Sequence, residues 1–292
     1  MHRIRRISGL HFFHHFCGVC VTEYAVTFAT WNCLEYTKQC MQSLLKAGVP
    51  LENIVVVDNG STDGTQDYLR DINPGQVILN KENLSCGAAW NQGILALQKE
   101  WTIVMNNDIV VTHDFATRLI AYATEKKLKL VSPARIDGVL NYDFDAFALD
   151  AQQTMQNAVR PNSSNAICMC MHWSLFKEVG FFRADPKLLG FEDGLFYNEI
   201  RKVNVPHATT GAVWIHHFGQ VTQDHMKMVL GIKQKDVLVK VNDRKLYQQS
   251  WIDRKMTRHR MKASHRQWRQ AELDRFGMTL HGSRTDQSFL WL

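Results

Sequence analysis

The sequence predicts an α/β fold with a mostly parallel central sheet, and three observations carry that expectation. Short apolar runs alternate with longer stretches of helical period, the pattern of strands and helices taken in turn. One of those runs, Asn53-Ile-Val-Val-Val57, does not alternate apolar with polar, as suits a strand covered on both faces. Several runs also end in polar corners: Thr30-Trp31-Asn32, Asp58-Asn59-Gly60 and Asn106-Asn107-Asp108. In open α/β sheets ligands bind beyond the carboxyl ends of the strands. One such corner is a turn; several on one edge make a site.

In chain order, Tyr24 to Ala29 reads as the first strand. A helix comes next through Leu34, Cys40, Met41, Leu44 and Leu45, with Gly48 to end it. After the strand at 53–57, Thr65 to Ile72 reads as a short helix and Asn73-Pro-Gly75 as a turn. Val77 to Leu79 is a short strand and Cys86 to Gln98 a helix. Thr102 to Met105 is a buried strand that runs into Asn106-Asn107-Asp108, with a second apolar run from Ile109 to Val111. Two amides and a carboxylate at a half-buried position must be hydrogen-bonded or bound to something. Thr112 is placed to cap a helix from His113 to about Glu125. Leu128 to Val131 is a further strand, and no strong period appears from Ser132 to Asn165; so long a loop is usually functional or mobile. Ala166 to Met171 reads as a strand, Leu175 to Val179 as a short helix, and Phe191-Glu-Asp-Gly194 opens a helix to about Val203. Ala212 to Ile215 is the last strand, ending in His216-His217.

Composition narrows the class. The chain has 292 residues, 45% hydrophobic and 21% charged, as in globular proteins. No apolar run reaches the roughly 20 residues a bilayer span needs. The start, Met1-His-Arg-Ile-Arg-Arg6 and then Leu10 to Phe16, resembles a signal peptide only weakly, because histidines interrupt its apolar core and no small-residue cleavage site comes after it; a cytoplasmic setting is expected. Seven scattered cysteines do not form a disulfide framework, which points to a reducing compartment. His11, His14, His15, Cys17 and Cys20 could ligate zinc but lack a second ligand pair at finger spacing.

The corners offer carboxylates, amides and imidazoles without a thiolate set. Such ligands suit Mg²⁺ or Mn²⁺, and a divalent ion there would hold a diphosphate and act as a Lewis acid. Neither a Gly-x-Gly-x-x-Gly after the first strand nor a Gly-x-x-x-x-Gly-Lys-Ser/Thr is present, which disfavours a dinucleotide-binding fold and excludes a P-loop ATPase.

Six motifs then carry a resemblance. Val26 to Asn32, Val56 to Gly64, Asn83 to Asn91, Met105-Asn-Asn-Asp108, Phe191-Glu-Asp193 and His217 to Thr222 are similar in kind and order to glycosyltransferase family 2. The resemblance covers roughly Tyr24 to Thr222. It implies a GT-A fold, a nucleotide-sugar donor, a divalent cation and inversion at the anomeric carbon. By position, Asp58 resembles the residue that reads a pyrimidine N3–H, and Thr30, Asn32, Asn59, Asn91 and Asn107 fall where the family lines its nucleotide pocket. Asp108 and His217 match metal or diphosphate ligands; Asn106 stands where the first acid of an Asp-x-Asp motif is common. Asp193 matches the catalytic base, with Glu192 beside it as the alternate. A helix start favours the anion and lowers a carboxyl pKa, whereas a general base works best nearer 7; burial by Phe191 and Phe196 would offset this. Leu195 and Arg183 depart from acids common in relatives, which leaves the acceptor open. The resemblance further implies a UDP- or dTDP-sugar donor and a glycan or lipid-linked acceptor, in cell-surface polysaccharide or lipopolysaccharide assembly.

The expected organisation is an N-terminal extension over 1–23, a GT-A domain over 24–242 and a basic helical extension over 243–292. The extension carries Arg254, Lys255, Arg258, Arg260, Lys262, Arg266 and Arg269 with Trp251 and Trp268. It reads either as a solvated helical appendage or as a contact for anionic lipid headgroups or a lipid-diphosphate acceptor on the cytoplasmic face of a membrane. No fold signature supports nucleic-acid binding. Two rivals to a transferase stay open: a nucleotide-sugar-binding protein with weakened catalysis, and a sugar nucleotidyltransferase, which needs a Gly-rich, Arg/Lys-bearing loop where Trp31-Asn-Cys-Leu34 stands.

Overall fold

A computed structural model describes residues 22–184, 192–219 and 250–292, with isolated positions between 221 and 231. The candidate zinc cluster and signal-like segment, and also Phe191 and Thr222, lie outside the described residues.

The first half is a parallel α/β unit. β1 (Tyr24–Thr30), β2 (Ile54–Asp58), β3 (Gln76–Leu79) and β4 (Trp101–Asn106) stand in the order β3-β2-β1-β4, all parallel. The helices α1 (Leu34–Lys46), α2 (Thr65–Ile72) and α3 (Cys86–Leu97) connect them. β2 is buried at every position, as its unbroken apolar run requires. α3 comes close to β1 because Gly93 has no side chain: a Cβ there would stand 1.9 Å from Thr27 Oγ1.

The second half mixes directions. β8 (Cys168–His172) lies antiparallel between β4 and β6 (Leu130–Gly138). β9 (His207–His217) runs parallel to β6 along its other side and takes β5 (Ile109–Val111) and β7 (Val159–Pro161) as antiparallel partners. The β6–β9 register breaks between Pro133 and Ala134, which lets the sheet curl. α4 (Phe115–Glu125), α5 (Phe144–Met155), α6 (Trp173–Val179) and α7 (Glu192–Lys202) cover it.

Two local expectations change. Thr112 does not cap α4; its hydroxyl donates to the Trp214 carbonyl (3.5 Å), and the helix starts after Asp114 in a left-handed conformation. The stretch without period from Ser132 to Asn165 contains α5. Its inward positions Phe144, Ala148, Ala151 and Met155 do fall on one face, but alanines carry little hydrophobic contrast. Asp143 starts it, accepting from the Ala146 amide at 3.0 Å.

The C-terminal helix is present as α8 (Trp251–Phe276). Two strands follow it. β10 (His281–Arg284) adds to β6 in parallel and β11 (Phe289–Trp291) pairs antiparallel with β10, so the last residues belong to the sheet. β10 and β11 thus share one sheet with the preceding strands. Arg160 on β7 meets Glu272 on α8 through two 2.8 Å bonds, both side chains buried.

Candidate active site

Register brings the polar corners together. Thr30 stands opposite Asp58, and Asn106 opposite Ala29, so the ends of β1, β2 and β4 share one edge of the sheet. The corners are also tied to one another. The Thr30 hydroxyl meets Thr37 Oγ1 at 2.9 Å and accepts from Asn107 Nδ2 at 3.3 Å. The Asn32 amide donates to Ser61 Oγ (2.7 Å), and Asn32 Oδ1 accepts from the Thr62 amide (2.9 Å). Asn32 and Cys33 both hold positive φ, which turns the chain sharply out of β1 into α1.

Asp58 is fully buried, and its two oxygens differ. Oδ1 accepts from the Gly60 and Ser61 amides at 3.1 and 2.9 Å and from Gln66 Nε2 at 2.8 Å. Oδ2 has no hydrogen-bond partner within the protein. A buried carboxylate oxygen without a donor is costly unless a ligand supplies one. Asn59 is engaged instead in an amide network: Asn80 donates to its Oδ1 at 2.9 Å, and its Nδ2 faces the Ser85 carbonyl at 3.3 Å. Asn91 clamps α3 to the Phe182 backbone, donating to its carbonyl (2.7 Å) and accepting from its amide (3.0 Å).

β4 ends at Asn106, and Asp108 and His217 meet where β5 pairs with the end of β9. Asp108 Oδ1 and His217 Nε2 stand 3.5 Å apart, both buried, and neither atom has a hydrogen-bond partner. Burial raises the Asp108 pKa, the His217 charge opposing it and Asp137 adding to it. The same strand end sends His216 to the opposite face, as strand alternation requires. There its Nδ1 lies 3.0 Å from the Tyr142 hydroxyl, and burial pushes its pKa down to about 4.

Behind His217 stands Asp137, which no sequence motif marks. Asp137 Oδ1 accepts from His217 Nδ1 (2.9 Å), and Oδ2 meets His281 Nε2 (2.7 Å). Arg135 Nε reaches the same carboxylate at 3.1 and 3.3 Å. Burial alone would raise the Asp137 pKa. The bonds from His217 and His281 and the Arg135 charge outweigh it and hold the group well below the usual carboxylate range. Asp137 falls in the stretch without period, and His281 falls beyond the six motifs, so pattern alone could not find them.

Asp193 and Glu192 open α7 on the far side of α3. Phe182 stacks on Phe196 (4.2 Å between centroids) and meets Trp90 edge-on (5.0 Å), which fixes α7 against α3. Gly87 permits the approach: a Cβ there would lie 2.9 Å from Glu192 Cγ. Glu192 is buried, while Asp193 is half-buried and accepts from the Gly194 amide at 2.7 Å. Burial raises the Asp193 pKa and outweighs the backbone hydrogen bonds that lower it. Cys86, at the start of α3, senses the charges of Glu192, Asp193 and Asp108, so α3 begins between the two acidic corners.

Comparison with known proteins gives the family and the fold. The family model described as "Glycosyl transferase family 2" matches residues 26–179, just over half of the chain. The chain belongs to glycosyltransferase family 2. The Bacillus subtilis (strain 168) protein EpsH, itself assigned as a glycosyltransferase, is 28% identical over 102 residues, which cover 34% of this chain and 29% of that relative. Among solved structures, the mannosyltransferase PcManGT of Pyrobaculum calidifontis, in complex with GDP-Man and Mn²⁺, gives a TM-score of 0.52 at 14% identity over 72% of this chain and 65% of its own. GalNAc-T7 with UDP, GalNAc and Mn²⁺ gives 0.51 at 14% identity, over 66% of this chain and 42% of its own. TarS residues 1–349 of S. aureus gives 0.51 at 18% identity, over 67% and 60%. At these identities the structures establish the GT-A architecture. Asp108 lies within the family 2 match, whereas Asp193, His217 and His281 lie beyond it.

Among the described residues no three His, Cys, Asp or Glu side chains converge as a ready-made metal site. Asp108 and His217 nonetheless fit as a pair. Their facing atoms are buried and lack a hydrogen-bond partner, and a carboxylate with an imidazole is a borderline donor set. Among the described residues no helix is long and apolar enough to cross a membrane.

Proposed function

We propose that this protein is an inverting, metal-dependent glycosyltransferase that moves a hexosyl or deoxyhexosyl group from a nucleotide-diphosphate donor to a hydroxyl of a glycan or lipid-linked acceptor. The observation that carries the reading is the set of buried atoms left without hydrogen-bond partners at one sheet edge: Asp58 Oδ2, Asp108 Oδ1 and His217 Nε2. An ionised Asp58 can only accept. It therefore selects a base with a ring N–H, the N3–H of uracil or thymine or the N1–H of guanine, and the family resemblance at this position favours the pyrimidine and so UDP- or dTDP-sugars. Thr30, Asn32 and Asn107 shape the pocket beside it, while Asn59 and Asn91 hold its walls.

Asp108 and His217 would hold Mn²⁺ or Mg²⁺, and such an ion supplies charge neutralisation and Lewis acidity to the diphosphate. Asp193 accepts the proton of the acceptor hydroxyl as that oxygen bonds to the anomeric carbon and the bond to the diphosphate breaks; attack opposite the leaving group inverts the carbon. Its raised pKa suits the task, and Glu192 is the more deeply buried of the two acids. Against the nucleotidyltransferase reading, the corner at Asn32 is closed by Ser61 and Thr62 rather than opened as a Gly-rich triphosphate loop.

Calorimetric titration of UDP, dTDP and GDP, with and without Mn²⁺, tests this. In the wild type Mn²⁺ should tighten binding of a uracil or thymine nucleotide, and in Asp108→Ala that enhancement should vanish. Equal affinity and metal dependence in the variant would overturn the metal assignment. Nucleotide binding without sugar transfer would favour the binding-protein reading.

A further inference from the structure

We propose that His281, carried in by the C-terminal strand β10, acts through Asp137 as a positioning residue that fixes the ring tautomer of His217. His217 Nε2 is thereby presented as a bare lone pair beside Asp108. The inference rests on the metal reading of Asp108 and His217.

The hydrogen positions follow from who can donate. A guanidinium has donors only. Arg135 Nη2 stands 3.4 Å from His281 Nδ1, so that nitrogen is the acceptor and the His281 hydrogen sits on Nε2. Nε2 then donates to Asp137 Oδ2 at 2.7 Å. The ionised Asp137 carboxylate only accepts, so its other oxygen takes a hydrogen from His217 Nδ1 at 2.9 Å. The Nδ1–H of His217 is thereby committed to Asp137, which leaves Nε2 as the nitrogen that faces Asp108 Oδ1 across 3.5 Å. Neither facing atom has a hydrogen-bond partner, and a cation between them would engage both.

Each link is held by a different element. Arg135 and Asp137 lie on β6, His217 on β9 and His281 on β10. The register sets Arg135 opposite His281 and Asp137 opposite His217. A carboxylate behind a ligating imidazole orients the ring and raises its basicity, and loss of such a partner typically weakens metal binding ~10–100-fold. His281 on Oδ2, and Arg135 on both oxygens, in turn keep the Asp137 carboxylate from rotating. The C-terminal strand thus completes a site whose ligands come from elsewhere in the chain.

The test uses the full-length protein labelled with ¹⁵N-histidine and free of metal, with the His217 signals assigned by their loss in His217→Gln. The wild type should show His217 protonated on Nδ1 with an unprotonated Nε2. In His281→Phe, which keeps a ring but removes the donor, His217 should average between tautomers, and the Mn²⁺ Kd in the presence of UDP should rise about tenfold. His281→Gln, whose side-chain amide can donate where Nε2–H did, should restore most of both and stands in if the phenylalanine variant does not fold. An unchanged tautomer and Kd in folded His281→Phe, or a collapse of both in His281→Gln that matches the phenylalanine variant, would overturn the inference. If Asp108→Ala binds Mn²⁺ as tightly as the wild type, the metal reading fails. If Asp108→Ala loses Mn²⁺ while His281→Phe keeps it, the positioning role alone fails.

Discussion

At Asp193 two effects oppose each other. The helix start and the Gly194 amide favour the anion, while burial disfavours it, and burial prevails. The sign has two consequences. A base with a raised pKa moves the acid limb of the turnover profile above the ordinary carboxylate range of about 4. It also means that the folded state holds a proton more tightly than the unfolded one. Between the two pKa values stability falls as pH rises, and above both the folded protein bears the full cost of the ionised group. Asp193→Asn removes that cost and the basicity together. Turnover should fall at least ~100-fold, the usual loss for a general base. Donor and Mn²⁺ affinity should stay unchanged, and Tm at pH 7 should rise. Steady-state rates, calorimetry and thermal melts read the three effects. Near-normal turnover in Asp193→Asn with an inactive Glu192→Gln would move the base to Glu192. Normal turnover in both would remove this motif from the chemistry.

At the level of elements, what the sequence showed and what it hid have different physical origins. Strands such as β2 and β4 were legible because both faces are buried and the apolar runs are unbroken. Their polar corners were legible because a carboxylate or amide at the end of such a run needs a partner. α5 was hidden because its inward face is partly alanine. The roles of β10 and β11 were hidden because strand pairing is non-local. Gly282 and Ser283 have no apolar pattern of their own and are strand only because β6 offers an edge. Asp137 and His281 shared that fate, since their meaning lies in a contact across 144 residues. The element that holds β10 in place is itself testable. Glu272 accepts from Arg160 and also from the Leu280 amide (2.9 Å), so it ties α8 and β7 to the chain entering β10. Removing one partner of a buried ion pair typically costs ~3–5 kcal/mol because the other charge is stranded. Glu272→Leu should therefore destabilise the protein by about that much in urea unfolding. Arg160→Met combined with Glu272→Leu should recover a good part of it, by the coupling a double-mutant cycle measures. Additive losses in the double variant would show that the two side chains act independently.

Over the whole molecule, charge is distributed as unevenly as chemistry. α8 is latched at its C-terminal end by Glu272, and by Arg269 donating to the Trp291 carbonyl at 3.0 Å. Its partly covered positions, among them Arg254, Thr257, Ser264 and Trp268, keep helical spacing down to buried Glu272 and so mark one side of the helix. Beside that line runs a basic stripe. Lys255, Arg258, Lys262, Arg266 and Arg269 recur every three or four residues and are all exposed, with Trp251 exposed in line with them. Of the exposed apolar residues, Met261 stands on the opposite side of the helix from Ile252 and Met256, so α8 lacks the broad apolar face that would sink into a bilayer. We therefore propose electrostatic adsorption to anionic headgroups, which would bring the site to a lipid-linked acceptor. Each Lys or Arg near such a surface contributes about 1 kcal/mol. Cutting the chain after Asn242 cannot test this, because it would also remove Glu272, β10 and β11. Lys255→Glu, Lys262→Glu and Arg266→Glu together reverse the stripe and leave the latch intact. In sedimentation with vesicles containing phosphatidylserine, the wild type should bind at low salt and release as salt screens the charges. The triple variant should stay in the supernatant, with Tm and UDP affinity unchanged. Equal sedimentation of the two proteins, or wild-type binding that ignores both salt and the anionic lipid, would sink the adsorption reading and leave α8 as a solvated helix that delivers β10 to the sheet.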